Sequence, residues 1–378
     1  MLPAPPRNVA MDAYRGMVML LMMAEILEFG HIARAFPGNW FWGILGYNQT
    51  HVEWAGLSLH DLIQPSFSFL VGVALPYSIA SRLRKGGTFP TLFGHALWRS
   101  FLLVALGIVL RSLHHRQVYF TFEDTLTQIG LGYPILFLLG FRSRRWQWGA
   151  LAAILTGYWL AWALYPISTP INWSHNFSGF AAHWNKGDNL GNAFDQWFLN
   201  LFPRVAPFVA NDGGYLTLSF IPTLGTMILG LAAGRWLRDG ARPLRRLAIA
   251  GAICIAAGTL LHFTGICPIV KRIWTPAWTL FSGGICFWFL AAFSWAIDRK
   301  GARRWAFPLV VIGTNSIAAY LIAQAGEDSS VGRALRYLGN SLHLAGSPFE
   351  PLLLGSGLLL LYWLLLWWMY RKRLFLRI

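Results

Sequence analysis

Runs of about 20 predominantly apolar residues recur along the chain and are separated by polar connectors. A helix needs about 20 such residues to cross the hydrocarbon core of a bilayer, and runs of this length favour membrane helices over strands. The pattern predicts an all-α, polytopic membrane bundle of about ten transmembrane helices, forming one domain over residues 1–378. The predicted spans are 11–33, 59–81, 91–113, 124–141, 146–166, 214–236, 245–265, 274–297, 305–325 and 351–370.

Composition and charge agree with this prediction. Hydrophobic residues make up 56% of the chain and charged residues only 12%, whereas a soluble domain has about 25% charged residues. The formal net charge of +16 raises nucleic acid as a partner class. The basic residues nevertheless concentrate in alternate connectors, as they do in loops that stay cytoplasmic. We therefore expect the lipid bilayer, and no nucleic acid, to be the partner that explains the charge.

The alternation of basic connectors predicts the orientation of the chain. Basic clusters follow the second, fourth, sixth, eighth and tenth predicted spans, which indicates that both termini are cytoplasmic and that His51 lies on the opposite side. The connectors on that side are also the long ones, at 34–58, 167–213 and 326–350. In a bacterium this orientation predicts an inner-membrane protein whose His51 faces the periplasm.

Ionisable residues cluster in the stretch HVEWAGLSLHDLIQPSFSFLVG, which begins at His51 and enters the second span. A histidine titrates near neutral pH and can act as a base or a nucleophile, with a nearby carboxylate from Glu53 or Asp61 to orient it. Trp54 belongs to the same polar entrance. A structural histidine and a carboxylate that complements the start of a helix are the alternatives. The spacing matches no metal-binding motif, so we expect no metal.

Glu25 and Glu28 are the strongest polar signals inside the first predicted span. Carboxylates within a span usually face the bundle interior, and their separation of three residues puts both on one face of a continuous helix. Asp12 and Arg15, also three apart, are predicted to pair. Arg15 would then either anchor the helix end or meet an anionic ligand.

Further basic and amide residues are candidates for binding. Arg99 and Arg111 fall inside predicted spans, while Lys271 and Arg272 break the charge pattern by lying on the less basic side. Such cations suit an anionic ligand or lipid phosphate. Asn315 lies in the segment GTNSIAAYLIAQ, where hydrogen bonding between helices is the default interpretation.

Five of these segments occur together in one known family. DAYRG, the His51 segment, TLTQIGLGY, PIVKRIWTPAW and GTNSIAAY follow one another in this order from Asp12 to about Tyr320. In them the chain resembles the bacterial relatives of lysosomal heparan-α-glucosaminide N-acetyltransferase, a group of transmembrane acyltransferases. The His-x-x-Trp-x-Gly element with the following Asp-Leu-Ile-x-Pro is the most specific part.

The resemblance implies an acetyl-CoA donor, an amine acceptor on a glucosamine-like amino sugar, and His51 as the reactive group. His51 would take the acceptor's proton or carry the acetyl group transiently. The animal enzyme has an asparagine in its first span where this chain has Glu25 or Glu28, which puts the acceptor in question. The resulting predicted site has catalytic residues His51, Glu53, Asp61 and Glu25, donor-binding residues Arg15, Arg99, Arg111, Lys271 and Arg272, and acceptor-binding residues Glu28, Trp54 and Asn315.

The sequence leaves open an alternative function and the oligomeric state. Carboxylates and aromatic residues inside a bundle also suit a permease for amino sugars or other small solutes, which would need no acyl chemistry. The sequence does not fix the oligomeric state, and a homodimer is one assembly that it allows.

Overall fold

The computed structural model describes residues 8–113, 115–167, 177–187, 189–325 and 347–376. Most of the predicted connector 326–350, and residues 168–176 and 188 of the connector 167–213, lie outside the described residues. Within the described residues the regular structure is helical. The α-helices are α1 (Val9–Met23), α2 (Phe29–Ala35), α3 (Trp40–Gln49), α4 (Ile63–Arg84), α5 (Phe89–Ser112), α6 (Thr125–Gly140), α7 (Arg144–Ala163), α8 (Leu190–Leu199), α9 (Phe220–Asp239), α10 (Pro243–Phe263), α11 (Pro276–Phe293), α12 (Phe307–Thr314), α13 (Ser316–Ala325) and α14 (Glu350–Arg371).

The helices confirm a polytopic bundle. Six of those described are long and apolar enough to cross a bilayer, and two bent pairs, α1 with α2 and α12 with α13, raise the number to eight. The remaining two predicted spans correspond to α6, which has 16 residues, and to α7, which has 20. The predicted count of ten is therefore not confirmed. The chain is an integral, multi-pass membrane protein.

The first predicted span is broken, and the prediction of a continuous helix over 11–33 was wrong. A 3₁₀ segment (Ala24–Leu27) follows α1, Glu28 has a left-handed backbone (φ 44°), and α2 starts at a 44° bend. The side-chain amide of Gln49 stabilises the break, because it donates to the Ala24 carbonyl (2.6 Å) and accepts from the Phe29 N–H (2.5 Å). Backbone groups freed by the break thus keep their hydrogen bonds.

The ninth predicted span is also bent, by 82° between α12 and α13. Asn315 occupies the break. Its amide donates to the Leu374 carbonyl (2.7 Å) and accepts from the Leu376 N–H (3.1 Å). These hydrogen bonds go to the chain segment that follows α14. The sequence had instead favoured a hydrogen bond between Asn315 and another helix.

Glycines bring the central helices into backbone contact. A Cβ atom at Gly72 of α4 would overlap the Met227 carbonyl of α9, and one at Gly230 would overlap the Phe69 carbonyl. Small residues at such contacts allow the close packing that holds membrane helices together. The α4–α9 pair thereby fixes the helix that begins directly after the polar entrance.

A second, aromatic core supports the end of the bundle where His51 lies. It is separate from the main core of the helices and consists mainly of connector residues and helix ends. Its fully buried members include Trp162, Trp184, Trp274 and Trp278. Because this cluster lies under the connectors, it holds them in fixed positions around the entrance to α4.

Candidate active site

Two connectors that are distant in sequence meet at His51. The segment after α3 and the segment after α10 form a β-bridge between Ala55 and Val270, and the Gly56 N–H donates to the Ile269 carbonyl (3.3 Å). The Arg272 guanidinium adds a hydrogen bond to the Val52 carbonyl (3.2 Å). This pairing brings Lys271 next to His51, although 220 residues separate them.

His51, Asp61 and Lys271 form a compact charged group. His51 Nδ1 lies 2.8 Å from Asp61 Oδ1, and Lys271 Nζ lies 3.3 Å from the same carboxylate oxygen. Lys271 Nζ is also 3.0 Å from His51 Nδ1 and 3.4 Å from His51 Nε2. Since a carboxylate only accepts hydrogen bonds, His51 Nδ1 donates to Asp61. The lone pair of the neutral ring is therefore on Nε2.

Asp61 is completely buried and its second oxygen is also occupied. Oδ2 accepts from the Ser58 N–H (3.0 Å) and the Val52 N–H (3.3 Å), and the Ser58 hydroxyl lies 2.9 Å away. A carboxylate with this many donors is held ionised and in one orientation. Asp61 therefore orients His51, and its side chain does not cap α4, since no side-chain cap is formed at Leu62.

The surroundings keep His51 neutral. Burial lowers the pKa of His51, the hydrogen bond to Asp61 opposes this shift, and the positive charge of Lys271 lowers the pKa further. Burial likewise lowers the pKa of Lys271 to about 8, against the opposing attraction of Asp61. At neutral pH the group therefore combines a neutral imidazole with a lysine that is still mostly protonated.

A cavity of about 310 Å³ opens at His51. This volume is at the lower end of the range for small-molecule sites. Polar side chains from seven stretches of the chain converge on it. Its polar lining consists of Glu25, His51, His60, Gln64, Arg111, Glu123, Asp124, Thr125, Tyr215, Lys271, Tyr320 and Gln324. Within the described residues no group of three or more His, Cys, Asp or Glu side chains is arranged to hold a metal ion.

Glu25 and His60 form a second acid–base pair beside His51. His60 Nε2 lies 2.7 Å from Glu25 Oε1, and the His51 and His60 rings are 4.5 Å apart between centroids. The His60 side chain is buried, at 7% exposure, whereas Glu25 remains 55% exposed towards the cavity. The break after α1 thus leaves a carboxylate accessible within the site.

The cavity lining also contains Arg111, which is paired with Asp124, and the neighbouring carboxylate of Glu123. Arg111 donates from Nε to both oxygens of Asp124, at 2.9 and 3.0 Å, and its NH2 group lies 2.8 Å from Oδ1. Burial and the neighbouring Asp124 charge raise the pKa of Glu123 to about 7. Glu123 is therefore partly protonated at neutral pH.

The structure brings together four of the twelve predicted site residues at the cavity, with Asp61 directly behind them. Glu25, His51, Arg111 and Lys271 line it. Arg272 lies next to the wall, where its guanidinium stacks over the Tyr215 ring at 5.2 Å and donates to the Gly213 carbonyl. Arg272 therefore links its own connector to the segment before α9 and, through the Val52 carbonyl, to the connector after α3.

Three predicted residues near the cavity lie outside its lining. Glu53 is exposed. Trp54 is 3% exposed and donates from Nε1 to the Trp184 carbonyl (3.0 Å), as part of the aromatic core. Glu28 was expected on one face with Glu25, but it has a left-handed backbone at the break, is exposed, and does not line the cavity that Glu25 lines.

The other three predicted residues lie away from His51. Arg15 pairs with Asp12 (3.3 Å), as predicted, roughly 15 Å along the helix axis from Glu25. Arg99 donates to the Tyr133 hydroxyl (3.2 Å) and lines a separate cavity of about 130 Å³ together with Arg82 and His95. Asn315 is buried and holds the segment that follows α14.

Several lining residues were not included in the predicted site. His60 adjoins Asp61 in sequence, and its position beside an apolar helix was the available signal. Glu123 and Asp124 directly precede α6, and acidic residues suit the start of any helix, so their sequence positions alone do not indicate a cavity. Gln324 ends the segment GTNSIAAYLIAQ, for which hydrogen bonding between helices was the default interpretation. No local pattern identified Tyr215, since the fold alone brings it to the cavity.

Comparisons with known proteins agree with the resemblance found in the motifs. No protein-family model matches the chain. The chain is 24% identical to human heparan-alpha-glucosaminide N-acetyltransferase over 364 residues, which cover 84% of this chain and 52% of that protein. It is 23% identical to the mouse protein of the same name over 365 residues, covering 82% of this chain and 52% of the relative. The chain spans about half the length of these curated relatives. It is a distant relative of heparan-alpha-glucosaminide N-acetyltransferase.

Proposed function

We propose that this protein is a membrane-embedded acetyltransferase that moves an acetyl group from cytoplasmic acetyl-CoA to the amine of a glucosamine-like amino sugar on the opposite side of the membrane. The observation that carries the proposal is the oriented, neutral His51 in the cavity lining, with the Asp61 carboxylate on Nδ1 and the Lys271 ammonium 3.4 Å from Nε2. The names of the two relatives supply the reaction type.

His51 Nε2 provides the reactive lone pair. It either attacks the thioester carbonyl, so that the C–S bond breaks and an acetyl-histidine forms, or it takes a proton from the attacking amine. In both routes the ring becomes positively charged, and the ionised Asp61 at Nδ1 stabilises that charge. The Lys271 ammonium, 3.4 Å from Nε2, lies close enough to stabilise negative charge on the carbonyl oxygen.

The donor must extend beyond this cavity, because about 310 Å³ holds the reacting ends of two substrates and not a whole nucleotide thioester. We propose that its phosphates bind at the smaller cavity beside Arg99. Arg82 lines the same cavity, and Arg99 Nε is buried without a hydrogen-bond partner among the described residues. Arg99 and Arg111 are on the same helix, roughly 18 Å apart along its axis. Both cavities open between α4, α5 and α6.

The test uses purified protein, acetyl-CoA labelled in the acetyl group and a panel of amino sugars that begins with glucosamine. Wild type should acetylate at least one amine, and His51→Gln should abolish transfer. His31→Gln, an exposed histidine on α2, is the matched control and should retain full activity. Absence of transfer to every amine, or full transfer by His51→Gln, would contradict the proposal. Uptake of unmodified amino sugar into liposomes without CoA would instead support a permease.

A further inference from the structure

The structure contains a second reactive pair that the transfer chemistry of His51 does not use. We infer that Glu25, oriented by His60, binds the ammonium group of the acceptor and takes its proton before the amine attacks the acetyl group. This inference rests on the proposed function. It assigns the substrate class more narrowly, to acceptors that arrive as cations.

Among the described residues three carboxylates line the cavity, and their contacts distinguish them. Asp124 is occupied by the bidentate bond to Arg111. Glu123 lies beside the Asp124 charge, and Asn211 donates to its Oε1 at 3.4 Å. Glu25 is the one of the three that combines high exposure with a fixed position next to the reactive ring. It is therefore the best anchor for a cation that must approach His51.

His60 is a positioning residue in this arrangement. Its buried ring donates from Nε2 to Glu25 Oε1 at 2.7 Å, which leaves Oε2 of the carboxylate for the substrate. The donated hydrogen bond also holds the side chain against rotation, which matters because the backbone after Ala24 has left the α-helical conformation. The tilted packing of the two histidine rings at 4.5 Å places the ammonium site beside the acetyl site.

The proton balance of the step follows from these positions. The ammonium gives one proton to the Glu25 carboxylate and becomes a neutral amine. The nitrogen lone pair then forms the amide bond to the carbonyl carbon, while the bond from that carbon to its leaving group breaks. In the acetyl-histidine route the leaving group is His51 Nε2, which keeps the electron pair, accepts the second proton from nitrogen and passes it to the CoA thiolate released in the first step. In the direct route the leaving group is the thioester sulfur, and His51 Nε2 takes the second proton from nitrogen and gives it to that thiolate. Glu25 finally releases its proton to solvent through the open cavity.

The inference is tested by steady-state transfer from acetyl-CoA to glucosamine, with glucose as a competing sugar that carries a hydroxyl in place of the amine. Glu25→Gln should lower kcat/KM for glucosamine by about 100-fold or more, as expected when a positioned base is lost. It should also lower the preference for glucosamine over glucose by about 10- to 100-fold, since a hydrogen bond between charged groups is lost. Asp239→Asn, at the exposed far end of α9, is the matched control and should change neither value.

Two variants of His60 test the positioning role. His60→Leu removes the donor to Glu25 and should raise the KM for glucosamine while binding of acetyl-CoA, measured by thermal stabilisation, is unchanged. His60→Gln supplies an amide N–H in a similar position and should recover most of the lost activity. Similar KM values for the Leu and Gln variants would argue against a positioning role.

The outcomes separate this inference from the proposed function. If wild-type protein acetylates glucosamine and Glu25→Gln does so equally well with the same sugar preference, the inference is wrong and the acetyltransferase proposal stands. If wild-type protein acetylates no amine, the proposed function itself has failed.

Discussion

Replacement of Asp61 by asparagine should separate the role of this carboxylate in catalysis from its role in stability. Asp61 is fully buried and lies within 3.3 Å of both His51 Nδ1 and Lys271 Nζ. Asparagine keeps the shape of the side chain but removes its charge. The change therefore affects two partners, a catalytic ring that needs orientation and a buried cation that needs a counterion.

The expected magnitudes follow from these two losses. Removal of one member of a buried ion pair costs about 3–5 kcal/mol of unfolding free energy, because the other charge stays buried; Lys271 is 4% exposed. Loss of the oriented tautomer and of the charge that stabilises the protonated ring lowers catalysis by about 10³- to 10⁴-fold in histidine–aspartate systems. Asp61→Asn should therefore be unstable and inactive.

A double variant distinguishes the two effects. Asp61→Asn combined with Lys271→Met removes both charges, so its stability should recover to within about 1–2 kcal/mol of wild type, while acetyl transfer stays lost. The assays are thermal unfolding in detergent and labelled transfer from acetyl-CoA to glucosamine. A double variant as unstable as the single one, or an Asp61→Asn protein that keeps wild-type turnover, would refute the account of this group.

Three further predictions follow from the same structure. Lys271→Met should shift the acidic side of the pH–rate profile to higher pH. Loss of the nearby positive charge raises the pKa of His51, so the ring becomes protonated at a higher pH. An acidic midpoint that is unchanged or lies at lower pH would contradict this prediction. Gln49→Ala should lower the free energy of unfolding by about 1–3 kcal/mol, since two backbone groups at the break lose their partners. Thermal unfolding in detergent should show this loss, with Gln117→Ala, at an exposed glutamine, as the control. Gly72→Ala should disrupt folding, because its Cβ overlaps the backbone of α9, and a monodisperse protein with wild-type thermal stability would contradict the proposed close packing.

Hydrophobic runs predicted the bundle well because the bilayer requires long apolar helices. Each predicted span overlaps a described helix or bent pair, although only six to eight of these are long and apolar enough to cross a bilayer, and α4 begins where the polar entrance ends. The break after α1 was not predictable from MMAEILEFG, since the side chain that stabilises it is Gln49, more than 20 residues away. Membrane helices break where a distant group satisfies the backbone, and a local pattern does not contain that group.

The candidate site was predictable in part. His51 and Asp61 are ten residues apart, so their contact could be expected from the sequence. The contact with Lys271 depends on the β-bridge between Ala55 and Val270, which no periodicity indicates. Glu123 could be explained as a favourable residue near a helix start, and only the fold shows that it also lines the cavity.

Transfer of an acetyl group across the membrane at His51 can be measured in proteoliposomes that enclose labelled acetyl-CoA, with glucosamine supplied only outside. Labelled N-acetylglucosamine should appear in the external medium for wild type and should not appear for His51→Gln. Wild-type proteoliposomes that form no external product, while detergent-solubilised protein acetylates glucosamine, would contradict a reaction that spans the bilayer.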